Sequence, residues 1–136
     1  MANLGEQMAA EVDSKVQKFR TLQEEIQKLR TDQQLLMQQL SENEMVKQEL
    51  DLLDDSSQVY KMVGPVLMKN ETEDAKQTVN QRLELISGEL KKVEKSIKSK
   101  EEESKETAKK IQEMQSAMQN AAAEAAKLAA QQAAQG

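Results

Sequence analysis

The 136-residue chain has no cysteine and no histidine. Those two absences exclude disulfides, thiol catalysis and the usual Cys/His zinc sites. Proline occurs once, at Pro65; the aromatics are Phe19 and Tyr60 alone, and there are four glycines. So little bulky apolar material cannot fill a thick globular core, whereas long helices suit this composition. No run approaches the roughly 18 apolar residues of a membrane span, so no membrane is expected as a partner. The opening stretch, MANLGEQMAAEVDSK, lacks a basic segment followed by an apolar core, and no secretory signal is expected. An excess of basic charge is missing too. The net charge is −5 with both signs interspersed, which argues against nucleic acid as the main partner. These features fit a soluble chain of a reducing, cytoplasmic compartment.

Catalysis without histidine or cysteine would fall to carboxylates and lysines. Here they lie along helix faces open to water, with no pocket to shift their pKa values. The acids Glu101, Glu102 and Glu103 read as solvation. The chain is read as no enzyme, with no cofactor and no metal.

What the sequence does have is periodicity. From Val79 an apolar stripe steps four, three, four, three through Leu83, Ile86, Leu90, Val93, Ile97, Lys100, Ser104, Thr107, Ile111, Met114, Met118, Ala121, Ala125 and Leu128. All of these but Lys100, Ser104 and Thr107 are apolar. A strict seven-residue repeat keeps its stripe against a partner only by supercoiling, so it predicts a coiled coil. The polar trio predicts a soft, bendable zone. An earlier arm repeats the pattern through Met8, Val12, Phe19, Leu22, Ile26, Leu29, Leu36, Leu40 and Leu50, with Gln33, Asn43 and Lys47 as polar members. Glu, Gln, Lys and Arg between these positions favour helix and keep its outer face wet. Neither arm can bury its stripe alone, and the link between them is short. An antiparallel pair is the simplest solution. It places Met8 near Met118 and Val12 near Ile111 or Met114, and leaves the last dozen or so residues without a partner.

The arms are interrupted at SQVYKMVGPVLMKN. The first helix ends softly in DLLDDSS, where Asp54, Asp55, Ser56 and Ser57 compete for backbone hydrogen bonds. The second restarts at NETEDAK, with Asn70 or Thr72 as N-cap and Glu71, Glu73 and Asp74 suited to the positive helix end. Two β-branched runs around Gly64-Pro65 read as a β-hairpin over residues 58–69. Alternation puts Val59 and Val63 on one face, Tyr60 and Met62 on the other, and Val66 and Met68 opposite Leu67. Both faces are apolar. A lone hairpin of this kind is marginal in water and exposes two edges, so it calls for partner hairpins. Val59, Tyr60, Met62, Val63, Gly64, Pro65, Val66, Leu67 and Met68 are therefore the expected subunit-assembly residues. The expected organisation is a single domain over 1–136, with a helix over 1–55, the hairpin at 58–69, a helix over 71–128 and a flexible tail at 129–136.

The segments LSENEMVKQELDLL (Leu40 to Leu53), VYKMVGPVLMK (Val59 to Lys69) and QRLELISGEL (Gln81 to Leu90) give the chain its resemblance to the β-type subunits of the prefoldin family. The resemblance implies a mainly α fold: a long antiparallel two-helix coiled coil whose central β-hairpin joins an intersubunit β-barrel. Asn43, Gly64 and Pro65 match the family pattern, which assigns them to architecture. It further implies a heterohexamer with two α-type and three further β-type subunits. Coiled-coil tips would hold unfolded actin and tubulin and pass them to the cytosolic group II chaperonin, without nucleotide. Adaptable methionines suit such holding. Met8, Met114 and Met118, with Met1, Leu4, Val12 and Leu128, are the expected client-binding residues; Met114 and Met118 can equally be ordinary seam residues. A structural coiled-coil scaffold and a prefoldin-like assembly with another role stay open as alternatives.

Overall fold

A computed structural model describes residues 3–54 and 56–135. The element order is α1 (Leu4–Asp51), β1 (Val59–Val63), β2 (Val66–Asn70) and α2 (Thr72–Gln135). Mainly helical architecture with one central hairpin is thus the observed fold. The expectations about Met1 and Asp55 lie outside the described residues.

Helix α1 starts with a capping box. Asn3 Oδ1 accepts the Glu6 N–H at 2.7 Å, and the Asn3 N–H donates to Glu6 Oε2 at 3.3 Å. Two donors that a helix start leaves unpaired are satisfied reciprocally. The other end tightens rather than stopping on a glycine. The Leu52 N–H is shared between the carbonyls of Gln48 and Glu49, both at 3.2 Å, and the Leu53 N–H reaches Leu50 O at 3.3 Å. The backbone then leaves the helix at Asp54. Its Oδ1 accepts the Ser56 hydroxyl at 2.6 Å, the Ser56 N–H at 3.0 Å and the Ser57 hydroxyl at 3.1 Å. These bonds, led by the Ser56 hydroxyl, hold the Asp54 carboxyl below its usual range. The helix therefore ends at Asp51, four residues before the expected boundary, because a short acidic side chain offers the backbone a competing turn.

Strands β1 and β2 pair antiparallel, with Val59 opposite Asn70, Lys61 opposite Met68, Met62 opposite Leu67 and Val63 opposite Val66. The hairpin reaches Asn70, one residue further than expected, so Asn70 cannot cap α2. The first α2 hydrogen bond instead runs from the Ala75 N–H to Glu71 O at 3.0 Å. Glu71 occupies the N-cap position, and Thr72 is already helical. Glu73 and Asp74 fill the first turn, where the helix dipole favours negative charge.

By packing, the chain divides into two compact units, Met1–Lys28 with Lys98–Gly136 and Leu29–Ile97. The unit containing the hairpin is centred on buried Leu50, Ala75 and Val79, with Val59 and Leu83 packed against them. Lys76 Nζ lies 4.0 Å from Asp51 Oδ1, joining the two helices beside this core. Along the same unit Gln33, Leu36, Leu40 and Asn43 of α1 are half-buried, as are Leu83, Ile86, Leu90 and Val93 of α2. Asn43 Nδ2 donates to Gln39 O at 2.7 Å, so this polar seam residue is satisfied within its own helix.

In the other unit the cross-helix contacts fix direction and register. Gln23 Nε2 donates to Ser104 Oγ at 2.7 Å, and Lys100 Nζ to Glu25 Oε2 at 2.6 Å. Rising numbers on α1 meet falling numbers on α2, so the pair is antiparallel. Stepping the heptads outward sets Phe19 against Thr107, Val12 against Met114 and Met8 against Met118. The expected soft zone is packed. Ser104 is 4% exposed and Thr107 5%, as deep as the apolar seam residues Leu22 and Ile26. Short side chains fit under Leu22 and Phe19, which the register sets opposite them, and each hydroxyl has a partner. Ser104 receives Gln23, and Thr107 Oγ1 donates to Glu103 O at 2.8 Å.

Helix α2 continues through 129–135, where a flexible tail was expected. Alanine, glutamine, lysine and leucine are strong helix formers, and no breaker interrupts them before Gly136.

Candidate functional site

The hairpin turn is set by one backbone angle. Gly64 has φ +59°, and no other described residue has positive φ. A two-residue loop with a left-handed first residue is the type II′ turn, whose twist suits the paired strands. Nothing lies within 4 Å of a Cβ built on Gly64. The requirement for glycine is therefore conformational, not steric.

Pairing sorts the side chains onto two faces. Val59, Lys61 and Val63 share one with Val66, Met68 and Asn70; Tyr60 and Met62 share the other with Leu67 and Lys69. At the root, Val59 packs on the helices. Met62 is 70% exposed and Leu67 63%, and Tyr60, Val63, Val66 and Met68 are exposed too. The Tyr60 hydroxyl donates to Gln58 Oε1 at 2.7 Å, which leaves the ring free to meet an apolar surface. Covering one such side chain is worth about 1.5–3 kcal/mol, so the hairpin holds a large unused capacity for association. Its open strand edges add unpaired N–H and C=O groups. The arrangement can pair with further strands and pack on both faces.

The residues expected to hold clients divide into two kinds. Met8, Val12, Met114 and Met118 are half-buried seam residues, brought together by the register described above. Leu4 and Leu128 are exposed. The heptad positions Ala121 and Ala125 are exposed as well, as is every described residue after Met118. Nothing in the sequence pattern separated these kinds, because the stripe continues past the point where α1 begins.

Nearby in the same unit, charged pairs flank the apolar seam and also join the helices. Lys18 Nζ lies 3.2 Å from Glu103 Oε1, beside the Lys100–Glu25 bond. The hydrogen bond to Glu25, outweighing partial desolvation, raises Lys100 above the usual lysine range. Among the described residues no group of acids is arranged to hold a metal ion. No described helix is long and apolar enough to cross a membrane.

Three comparisons bear on this geometry. A family model described as "Prefoldin subunit" matches residues 13–118. The chain is 40% identical over 88 residues to a probable prefoldin subunit 6 of Caenorhabditis briggsae, covering 65% of this chain and 69% of the relative. It is 36% identical over 101 residues to prefoldin subunit 6 of Homo sapiens, covering 74% and 78% respectively. Among solved structures, the prefoldin beta subunit from Thermococcus strain KS-1 superposes with a TM-score of 0.72. That likeness covers 76% of this chain and 90% of the other at 24% sequence identity, and it speaks for the fold.

Proposed function

Since the chain belongs to the prefoldin subunit family and assembles with other subunits of that family, we propose that it serves as a β-type subunit of a heterohexameric holding chaperone in the cytosol. The observation that carries this reading is the hairpin: two apolar faces and two open edges, exposed between the two helices. Residues Val59 to Met68, with the Gly64-Pro65 turn, supply the strands of a shared β-barrel. Neighbouring strands pair the open edges, and the faces are covered from inside and outside the barrel.

The helix ends carry the client work. Leu4, Met8, Val12, Met114, Met118 and Leu128 (with Met1 beyond the described residues) offer flexible apolar contacts to unfolded chains such as actin and tubulin. Fraying of the last seam layers uncovers the methionines, whose polarizable side chains adapt to irregular partners. Each arm holds weakly, and several arms around one cavity raise retention through effective concentration. Weak single contacts suit handover to the group II chaperonin, which needs no nucleotide on this chain.

The test is crosslinking from residue 8 or 118 to a denatured client, together with native mass spectrometry of complexes purified from cells. Crosslinks from both positions, within a hexamer holding two α-type and three further β-type subunits, are the expected result. Crosslinks confined to the helix sides would overturn the client assignment, and a homodimer would overturn the assembly.

A further inference from the structure

A cleft of about 380 Å³ opens at the root of the hairpin. Its floor is apolar, made by Leu50, Val59, Ala75 and Val79, and Lys61 and Arg82 stand at its rim. Both cations are exposed. None of the ion pairs among the described residues involves either of them. Two positive charges with no acid among the described lining residues are notable in a chain of net charge −5. A pocket of this kind fixes an apolar side chain by burial and orients it through a carboxylate.

We propose that this cleft receives a segment of a neighbouring prefoldin subunit in which an apolar side chain is followed within about two residues by a carboxylate. The proposal rests on the reading that the hairpin end is the assembly end, since the cleft is continuous with that surface through Tyr60 and Met62. Charge complementarity selects the occupant. The chain itself shows what such a segment looks like. Leu52 is 85% exposed, and Asp54 follows it in a turn that holds its carboxyl below the usual range. Neither residue lines the cleft of its own chain. A corner of one subunit entering the cleft of the next is a head-to-tail contact, the kind that closes a ring when the rotation allows. Strand pairing alone does not choose between neighbours, and a charged anchor at the hairpin root would fix their order.

The experiment uses the full chain co-assembled with its partner subunits. A photo-crosslinking amino acid replaces Thr78, which lines the cleft, and the captured peptide is sequenced. The expected capture is an acidic, apolar segment of a neighbouring subunit. The double variant Lys61→Glu/Arg82→Glu should weaken retention in the assembly about tenfold or more, while the isolated chain melts unchanged because both side chains are exposed. Reversing the captured carboxylate to lysine should restore retention. Capture of a client or of the same chain alone, or undiminished assembly of the double variant, overturns the proposal. Leu67→Asp, at a hairpin residue that does not line the cleft, separates the two readings. If Leu67→Asp blocks assembly and the double variant does not, the hairpin reading stands and the cleft falls. If Leu67→Asp assembles normally, the hairpin reading itself falls.

Discussion

The unit of residues 29–97 and the unit formed by 1–28 with 98–136 invert one another. In the second, two of the deepest side chains are hydroxyls, Ser104 and Thr107, each with a hydrogen-bond partner. In the first, Met62, Val63, Val66, Leu67 and Met68 of the hairpin stand in water. Neither placement follows from hydropathy alone. A small polar residue can be buried where its hydroxyl is satisfied and its volume suits the layer. A large apolar residue stays exposed where the chain that should cover it is a different molecule. The contrast teaches which packed layers of this chain are complete and which surface is waiting.

The largest effect should come from the waiting surface. Leu67→Asp places a charge on the apolar face shared with Tyr60 and Met62. It should weaken assembly at least a hundredfold, given about 1.5–3 kcal/mol for the lost side chain plus the cost of burying a carboxylate. The isolated chain should melt as before, so native mass spectrometry and circular dichroism together separate the two outcomes. Equal loss in both would mean that Leu67 already supports its own subunit.

In the packed seam the expectation reverses. Ile26 is buried in the seam, and Ile26→Ala should cost about 2–5 kcal/mol in denaturant unfolding of the isolated chain. A change below about 1 kcal/mol would mean a loose seam. Smaller still is Gly64→Ala, which must force a Cβ into the left-handed region at about 1–2 kcal/mol. That strain should appear as a weaker hairpin in the assembly, with helix melting untouched.

Ser104→Ala and Thr107→Val sharpen the comparison because they differ in partner. Ser104 links the helices through Gln23, so its loss should cost about 0.5–1.5 kcal/mol. Thr107 bonds only its own helix, and a near-isosteric valine should be neutral or slightly stabilising. Matching losses at both sites would contradict the assigned bonds. The smallest effect is the pH dependence at Lys100. Its folded pKa is raised above 10.5 by Glu25, so the contribution is complete below the unfolded value and lost as pH climbs through the folded one. Lys100→Gln should therefore flatten only the alkaline limb of a stability–pH curve, leaving the acid limb unchanged.

Much of this was legible in the sequence because periodicity and turn chemistry are local signals. The stripe from Val79 to Met118 gave the seam, and Gly64-Pro65 between valines gave the hairpin. What escaped reading depended on competition or on three-dimensional packing. Asn70 was a sound N-cap until β2 claimed it through Val59. Ser104 and Thr107 resembled a weakness because burial of a hydroxyl depends on partners elsewhere in the chain. The Asn3–Glu6 capping box did have a signal, an Asn followed three residues later by Glu, and it passed unnoticed. The cleft beside Arg82 had none, since its walls come from α1, both strands and α2. At the end of the chain, alanine-rich composition suggested looseness where its helix propensity prevailed.

Amide hydrogen exchange across Val59–Asn70, measured on the free chain and again after assembly with partner subunits, tests the central claim most directly. The account predicts rapid exchange in the free chain at every hairpin N–H that points outward from the β1–β2 ladder, slowed at least a hundredfold once neighbouring strands pair with those edges. Unchanged rapid exchange in the assembled complex would contradict it.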